Sequence, residues 1–120
     1  MIRTKRAYDI PDASDGERVL VDRLWPRGLT KERASIDRWE RELSPSPELR
    51  KWYGHEPERY AAFRERYRAE LVAHRDTLEA LARRGARSTV TLVYAARDSE
   101  HCNAGVLKEL LDELLARGRS

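Results

Sequence analysis

The segment best suited to chemistry follows a short apolar run and contains one acid, two arginines, a tryptophan, a proline and a glycine. The segment continues from Val19-Leu20-Val21 as Asp22, Arg23, Leu24, Trp25, Pro26, Arg27 and Gly28. An arginine guanidinium presents a planar fork of donors that matches the oxygen pairs of carboxylate, phosphate or sulfate. Two arginines four residues apart, in a loop framed by proline and glycine, therefore predict a clamp for a small anionic ligand.

Each side chain of this loop has an expected role. We expect Arg23 and Arg27 to bind the anion and Trp25 to form a wall of the pocket. Asp22 would orient an arginine or act as a catalytic base. The alternative is a structural ion pair between Asp22 and Arg23, with Trp25 in the core. Polar loops at the end of a buried strand often carry functional sites, which favours the binding role.

The apolar and turn patterns predict three strands, at residues 2–8, 18–24 and 89–96. The apolar run at 19–21 is continuous, which is typical of a strand covered on both faces. Helical patterns separate the second strand from the third, so these two strands should be parallel. Their carboxyl ends would then meet at one edge of the sheet. The loops 22–28 and 97–103 should therefore lie side by side.

The helix signals complete the predicted order of elements. Thr30 is a candidate cap of a short turn, and Ser46-Pro47 begins a helix that should end near Gly54. A longer helix is predicted from Pro57 to Gly85, and a last helix follows residue 102. The core-facing stripe of the longer helix, from Pro57 to Gly85, consists of Tyr60, Phe63, Tyr67, Leu71, Leu78 and Leu81. Residues 36–43 are ambiguous. The sequence thus predicts one α/β domain over residues 1–120, with a small, largely parallel sheet flanked by helices.

The segment 101–108, His-Cys-Asn-Ala-Gly-Val-Leu-Lys, is similar to the phosphate loop of cysteine-dependent phosphatases. Those enzymes place a nucleophilic cysteine and an arginine clamp at a helix N-terminus, which attracts anions and lowers the thiol pKa. Here Lys108 occupies the clamp position and Glu109 replaces the usual Ser or Thr. Cys102 also lies well beyond the expected end of its strand. These departures favour a structural Cys102, with Asn103 as a helix cap.

Composition restricts the class of protein. The 120 residues include 24 Lys and Arg against 21 Asp and Glu, and the two signs are interleaved. Nucleic-acid binding is therefore permitted but not required. The single cysteine excludes an intramolecular disulfide and favours a reducing compartment. Neither a membrane span nor a secretory signal is evident, so we expect a cytoplasmic protein. The three histidines lack ligand-like spacing, and no metal or cofactor is predicted.

Several segments together resemble a known family. They are Lys5-Arg6-Ala7-Tyr8-Asp9, Asp15-Gly16, the run from Val19 to Gly28, Ser46-Pro47-Glu48-Leu49-Arg50, Phe63-Arg64-Glu65-Arg66-Tyr67 and Thr91-Leu92-Val93-Tyr94-Ala95-Ala96. In this order they resemble the short, YeaO-like branch of domain of unknown function family 488, over nearly the whole chain. The resemblance implies a small bacterial or archaeal cytoplasmic protein whose activity is not established.

The resemblance also bears on the two candidate sites. The longer branch of that family has a similar Asp-x-Arg stretch at a strand end and a Cys-His-Arg element after its last strand. YeaO-like relatives tend to have Asn and a polar residue where this chain has Cys102 and Asn103. The family pattern therefore does not require the thiol, which strengthens the loop 22–28 as the site.

Three functional hypotheses follow from the sequence. The first is a pocket, catalytic or not, for a small anionic metabolite, to which Asn103 and the start of the last helix add donors. The second is a nucleic-acid or protein-binding module without catalysis. The third is a cysteine-dependent phosphatase or sulfurtransferase-like enzyme built on Cys102. A domain this small, with three tryptophans, is also compatible with a homodimer.

Overall fold

A four-stranded parallel sheet organises the chain, of which the computed structural model describes residues 1–118. The strand order is β1-β4-β2-β3, with β1 Ile2–Arg6, β2 Glu17–Leu20, β3 Arg38–Trp39 and β4 Val90–Tyr94. Strand β4 is central, pairing with β1 on one side and β2 on the other. The predicted α/β domain with a largely parallel sheet is confirmed.

Five α-helices and four short 3-10 turns connect and cover the strands. The helices are α1 Lys31–Ala34, α2 Pro47–Tyr53, α3 Tyr60–Leu71, α4 Arg75–Arg87 and α5 Asn103–Gly118; the turns are Ala13–Asp15, Arg41–Leu43, Pro57–Arg59 and Val72–His74. Both predicted caps are present, because the Thr30 side chain accepts from the Arg33 N–H and that of Ser46 from the Leu49 N–H. No helix within residues 1–118 is long and apolar enough to cross a bilayer.

The strands are shorter than the sequence predicts, and the end of β2 shows why. After Leu20, the Val21 N–H still donates to the Val93 carbonyl at 3.1 Å. At the next position the Asp22 carboxylate accepts the Ala95 N–H at 2.9 Å. A side chain thus replaces the main-chain partner, and the pairing of β2 with β4 stops there.

The predicted single helix from Pro57 to Gly85 is wrong in its bounds. A 3-10 turn at Val72–His74 divides it into α3 and α4, and α4 continues past Gly85 to Arg87. Gly85 is a packing residue instead of a cap, because a Cβ there would lie 2.4 Å from Cδ1 of Ile2. The close approach of α4 to the sheet therefore depends on this glycine.

The core has two unequal parts, one on each face of the sheet. The larger cluster contains Val19 and Val21, and the smaller cluster, on the other face, contains Leu20. All three side chains are fully buried. The predicted stripe on α3 and α4 packs into the larger cluster. The smaller cluster joins Ala7, Leu20 and Val93 with Trp25, Leu29, Ile36 and Trp39. Both faces of the sheet are thus covered beside the end of β2, where the polar loop begins.

Candidate functional site

A cavity of about 660 Å³ opens where β2 and β4 end. The loop after β2, the start of α2 and the start of α5 surround it. Parallel neighbouring strands place their carboxyl ends at one edge, and open α/β sheets bind ligands there. All five residues singled out from the sequence line this cavity: Asp22, Arg23, Trp25, Arg27 and Asn103. The structure therefore brings together the two loops whose proximity the parallel pairing predicts.

Asp22 is the acid of the cavity, and its carboxylate is held at both oxygens. Oδ2 accepts the Ala95 N–H at 2.9 Å, and Oδ1 accepts from Nδ2 of Asn103 at 3.1 Å. Burial raises the pKa of Asp22 above its usual range, although these two donors and the charge of Arg50 act to lower it. The alternative of an ion pair with Arg23 is not present, since neither oxygen contacts that residue.

Asn103 is the first residue of α5, and its side chain does not cap the helix. Nδ2 donates at 3.1 Å to the Val21 carbonyl and at 3.1 Å to Asp22. Cys102 directly precedes the helix, and the N–H groups of Gly105 and Ala104 act to lower the pKa of its thiol, whose S–H donates to the Ser99 carbonyl at 3.6 Å. The amide of Asn103 thus fixes the Asp22 carboxylate in place. That Asn103 also contacts a ligand stays a prediction.

The cavity carries more positive than negative charge. Arg23 and Arg27 are exposed on the loop after β2, and Arg50 and Lys51 add two more cations from α2. None of these four side chains forms a hydrogen bond or a salt bridge with another described residue. The charge of Arg50 acts on Asp22 only through space. Four cations and one half-buried carboxylate therefore line this cavity.

Sequence reasoning missed the contribution of α2. The Ser46 cap fixes where that helix begins, and Arg50 lies one turn after Pro47. A cap identifies a helix but not the face of the sheet it packs on. Arg50 and Lys51 could be assigned to the site only once α2 was placed over the carboxyl edge.

Several contacts hold the loop after β2 in one conformation. The Trp25 Nε1–H donates to the Leu29 carbonyl at 2.6 Å, and the Trp39 Nε1–H donates to the Asp22 carbonyl at 2.7 Å. The two indole rings meet edge to face at 5.6 Å between centroids. Gly28 closes the loop with a φ of 82°, which favours glycine. Trp25 is therefore both a cavity wall and part of the smaller core cluster.

Cys102 has the environment of a structural thiol. The residue is 3% exposed, and burial raises the pKa of the thiol despite the nearby N–H groups of Gly105 and Ala104. Lys108, at the clamp position of the phosphatase pattern, donates along α5 to Asp112 at 2.5 Å. The raised thiol pKa and the pairing of Lys108 with Asp112 do not favour nucleophilic chemistry at Cys102.

Aromatic side chains also line the cavity. Tyr53 and Phe63 stack at 4.4 Å between ring centroids, and the Tyr53 hydroxyl donates to the His101 carbonyl at 2.7 Å. His101 Nδ1 lies 2.8 Å from an oxygen of Asp98. No group of three or more His, Cys, Asp or Glu side chains within the described chain converges on a metal position.

Comparisons with known proteins agree with one another. A family model described as "Inactive DUF488-N3 subclade" matches residues 1–120. "Uncharacterized protein YeaO" of Escherichia coli is 44% identical over 113 residues, covering 94% of this chain and 98% of its own length. "Uncharacterized protein Rv3073c" of Mycobacterium tuberculosis is 42% identical over 111 residues, covering 92% and 93%. No solved structure matches significantly. The chain therefore belongs to the YeaO-like branch of the DUF488 family, within the subclade described as inactive.

Proposed function

We propose that this protein binds a small anion in the cavity at the carboxyl edge of its sheet. One observation carries the proposal: among the described residues, four Lys and Arg side chains line the cavity and Asp22 is the only acid that does. Arg23, Arg27 and Arg50 are the anion-binding residues of this proposal, and Trp25 is the wall. Arginine forks that no protein carboxylate occupies are free to pair with the oxygens of a ligand.

The proposal is for binding without turnover. The family model is described as inactive, which favours recognition over chemistry. Asp22 already accepts two hydrogen bonds from the protein, and Cys102 is buried with a raised pKa. Asp22 therefore acts in recognition instead of as a base. Its relatives come from bacteria, and its single cysteine favours a reducing compartment, so we propose that the protein acts in a bacterial cytoplasm.

A thermal-shift screen tests the proposal. The panel contains phosphate, sulfate, thiosulfate, nucleotides, sugar phosphates and dicarboxylates. A ligand at about 100 times its dissociation constant adds roughly 2.7 kcal/mol of stability, which is readily measured. The wild-type protein is compared with Arg23→Ala, Arg27→Ala and Arg50→Ala. The matched control is Arg83→Ala, because Arg83 is exposed on α4 and does not line the cavity.

The expected result is stabilisation of the wild type and of Arg83→Ala by at least one small anion, with a reduced response in the three cavity variants. Equal responses in all variants would contradict the proposal. Short oligonucleotides belong in the same screen, because nucleic acid is the rival partner. A salt-sensitive response to them, without a response to any small anion, would favour a binding module for nucleic acid.

A further inference from the structure

The Asp22 carboxylate is an unexpected component of an anion-binding cavity. A carboxylate has about four lone-pair positions. The Ala95 N–H and the Asn103 amide occupy two of them. Asp22 lines the cavity, so acceptor capacity remains beside the four cations. An anion that enters this cavity therefore meets donors from the arginines and an acceptor from Asp22.

We propose that Asp22 makes the cavity selective for anions that carry a hydrogen-bond donor next to their negative charge. This inference rests on the proposed anion-binding function and specifies the class of ligand. An oxyanion with an O–H group donates it to Asp22 while its other oxygens accept from the arginines. A fully deprotonated oxyanion places a lone pair against the half-buried carboxylate, which leaves two acceptors facing each other without a donor between them.

The surroundings of Asp22 make this discrimination strong. Its two protein donors fix the carboxylate, so it does not turn away from an unsuitable anion. Asn103 in turn is anchored to the Val21 carbonyl at the end of β2. A rigid acceptor of this kind rejects a ligand that lacks the matching donor, because the buried group is then left unpaired.

Phosphate and sulfate are the appropriate probes, because they have nearly the same shape and differ in one proton. At neutral pH phosphate retains an O–H group, whereas sulfate has none. Calorimetric titration of the wild-type protein with each anion gives the selectivity directly. Because a hydrogen bond to a charged group is among the stronger kinds, we expect phosphate to bind about tenfold or more tightly than sulfate.

The variant Asp22→Asn tests the assignment to this residue. Asparagine offers an N–H as well as an oxygen, so sulfate should bind more tightly to the variant and the ratio should approach one. Glu100→Gln is the matched control. It also removes one negative charge near the cavity, but Glu100 is exposed and does not line the cavity. Its phosphate-to-sulfate ratio should equal that of the wild type.

The outcomes separate this inference from the proposed function. If the wild type binds sulfate as tightly as phosphate, the selectivity is absent although the anion pocket stands. If Asp22→Asn keeps the wild-type ratio, Asp22 is not its source. If neither probe nor any other small anion binds the wild type, the proposed function itself fails. If Asp22→Asn does not fold, the ratio of phosphate affinity to sulfate affinity in the wild-type protein still tests the selectivity.

Discussion

The two ends of β2 use the same residue types in opposite ways. At the amino end, Arg18 and Asp15 are 3% and 1% exposed and form a salt bridge of 2.7 Å, which Lys5 extends at 3.1 Å. At the carboxyl end, Arg23 and Arg27 are exposed without a carboxylate partner among the described residues, and Asp22 is bonded to an amide and a main-chain N–H. Arginine next to aspartate is structural at one end and available for a ligand at the other.

Substitution of an arginine at each end should show the largest contrast. Arg18→Ala leaves the Asp15 carboxylate with Lys5 and the Asp12 N–H and removes the donors to the Ala34 carbonyl. We therefore expect a loss of about 3–5 kcal/mol in unfolding free energy. Arg27→Ala should change stability by no more than about 0.5 kcal/mol. Urea unfolding with comparison of midpoints measures both. Similar losses in the two variants would remove the distinction between the ends.

Asn103→Ala should have an intermediate effect that belongs to the carboxyl end. The fully buried Val21 loses the donor to its carbonyl, and Asp22 loses one of its two fixed partners. We expect a loss of about 1–3 kcal/mol in stability, together with weaker discrimination between phosphate and sulfate. Urea unfolding and calorimetric titration measure the two effects. Unchanged discrimination would show that Asp22 keeps its position without Asn103.

The two aspartates should respond to acid with opposite signs. Burial acts to raise the pKa of Asp15, but the Asp12 N–H, Lys5 and Arg18 lower it below the ordinary 3.8. Its contribution to stability is present above that value and is lost as the pH falls through the lower folded pKa. Burial raises the pKa of Asp22. Its ionised form therefore costs stability at neutral pH, and the cost disappears as the pH falls through the raised pKa.

Unfolding free energies of Asp15→Asn and Asp22→Asn between roughly pH 3 and pH 7 test this contrast. The wild type should lose stability in acid through Asp15, and Asp15→Asn should not show this loss. The wild type should gain stability in acid through Asp22, and Asp22→Asn should not show this gain. Arg50, Tyr67, Cys102 and Asn103 interact with Asp22, and Arg23 lines the same cavity. The difference between each variant and the wild type isolates the contribution of Asp22 from theirs. If the difference in unfolding free energy between variant and wild type changes with pH in the same direction for both variants, the contrast between Asp15 and Asp22 is wrong.

Cys102→Ser should have the smallest effect. Serine is a favourable residue at the start of a helix, which offsets the burial of its hydroxyl, so stability should change by about 1 kcal/mol or less. Anion binding should be unaffected, and the wild-type thiol should react with a thiol reagent only slowly before unfolding. Loss of a ligand response in this variant alone would restore the cysteine-based hypothesis.

Local patterns in the sequence were sufficient to predict where the candidate site lies in the fold. The continuous run at 19–21 and the helical crossover placed Asp22, Arg23 and Arg27 at the sheet edge shared with Asn103, and the structure agrees. These features depend on periodicity and on chain connectivity, both of which are visible in the residues.

Features that depend on packing between distant segments were not predictable. The Asp15–Arg18–Lys5 cluster requires knowing that β1 and β2 lie on either side of β4. The division between α3 and α4 has no glycine or proline at residues 72–74 to mark it. The Asn103 amide bonds the end of β2, 81 residues away, whereas the local pattern suggested only a cap.

The most direct test of the central claim compares two charge-matched double variants by calorimetric titration with phosphate. Arg27→Ala/Arg50→Ala removes two cations that line the cavity, and Arg83→Ala/Arg87→Ala removes two exposed cations of α4 that do not. We expect the second protein to bind phosphate like the wild type and the first to lose about tenfold or more in affinity. Equal weakening in both would show a general effect of net charge and would contradict an anion site in this cavity.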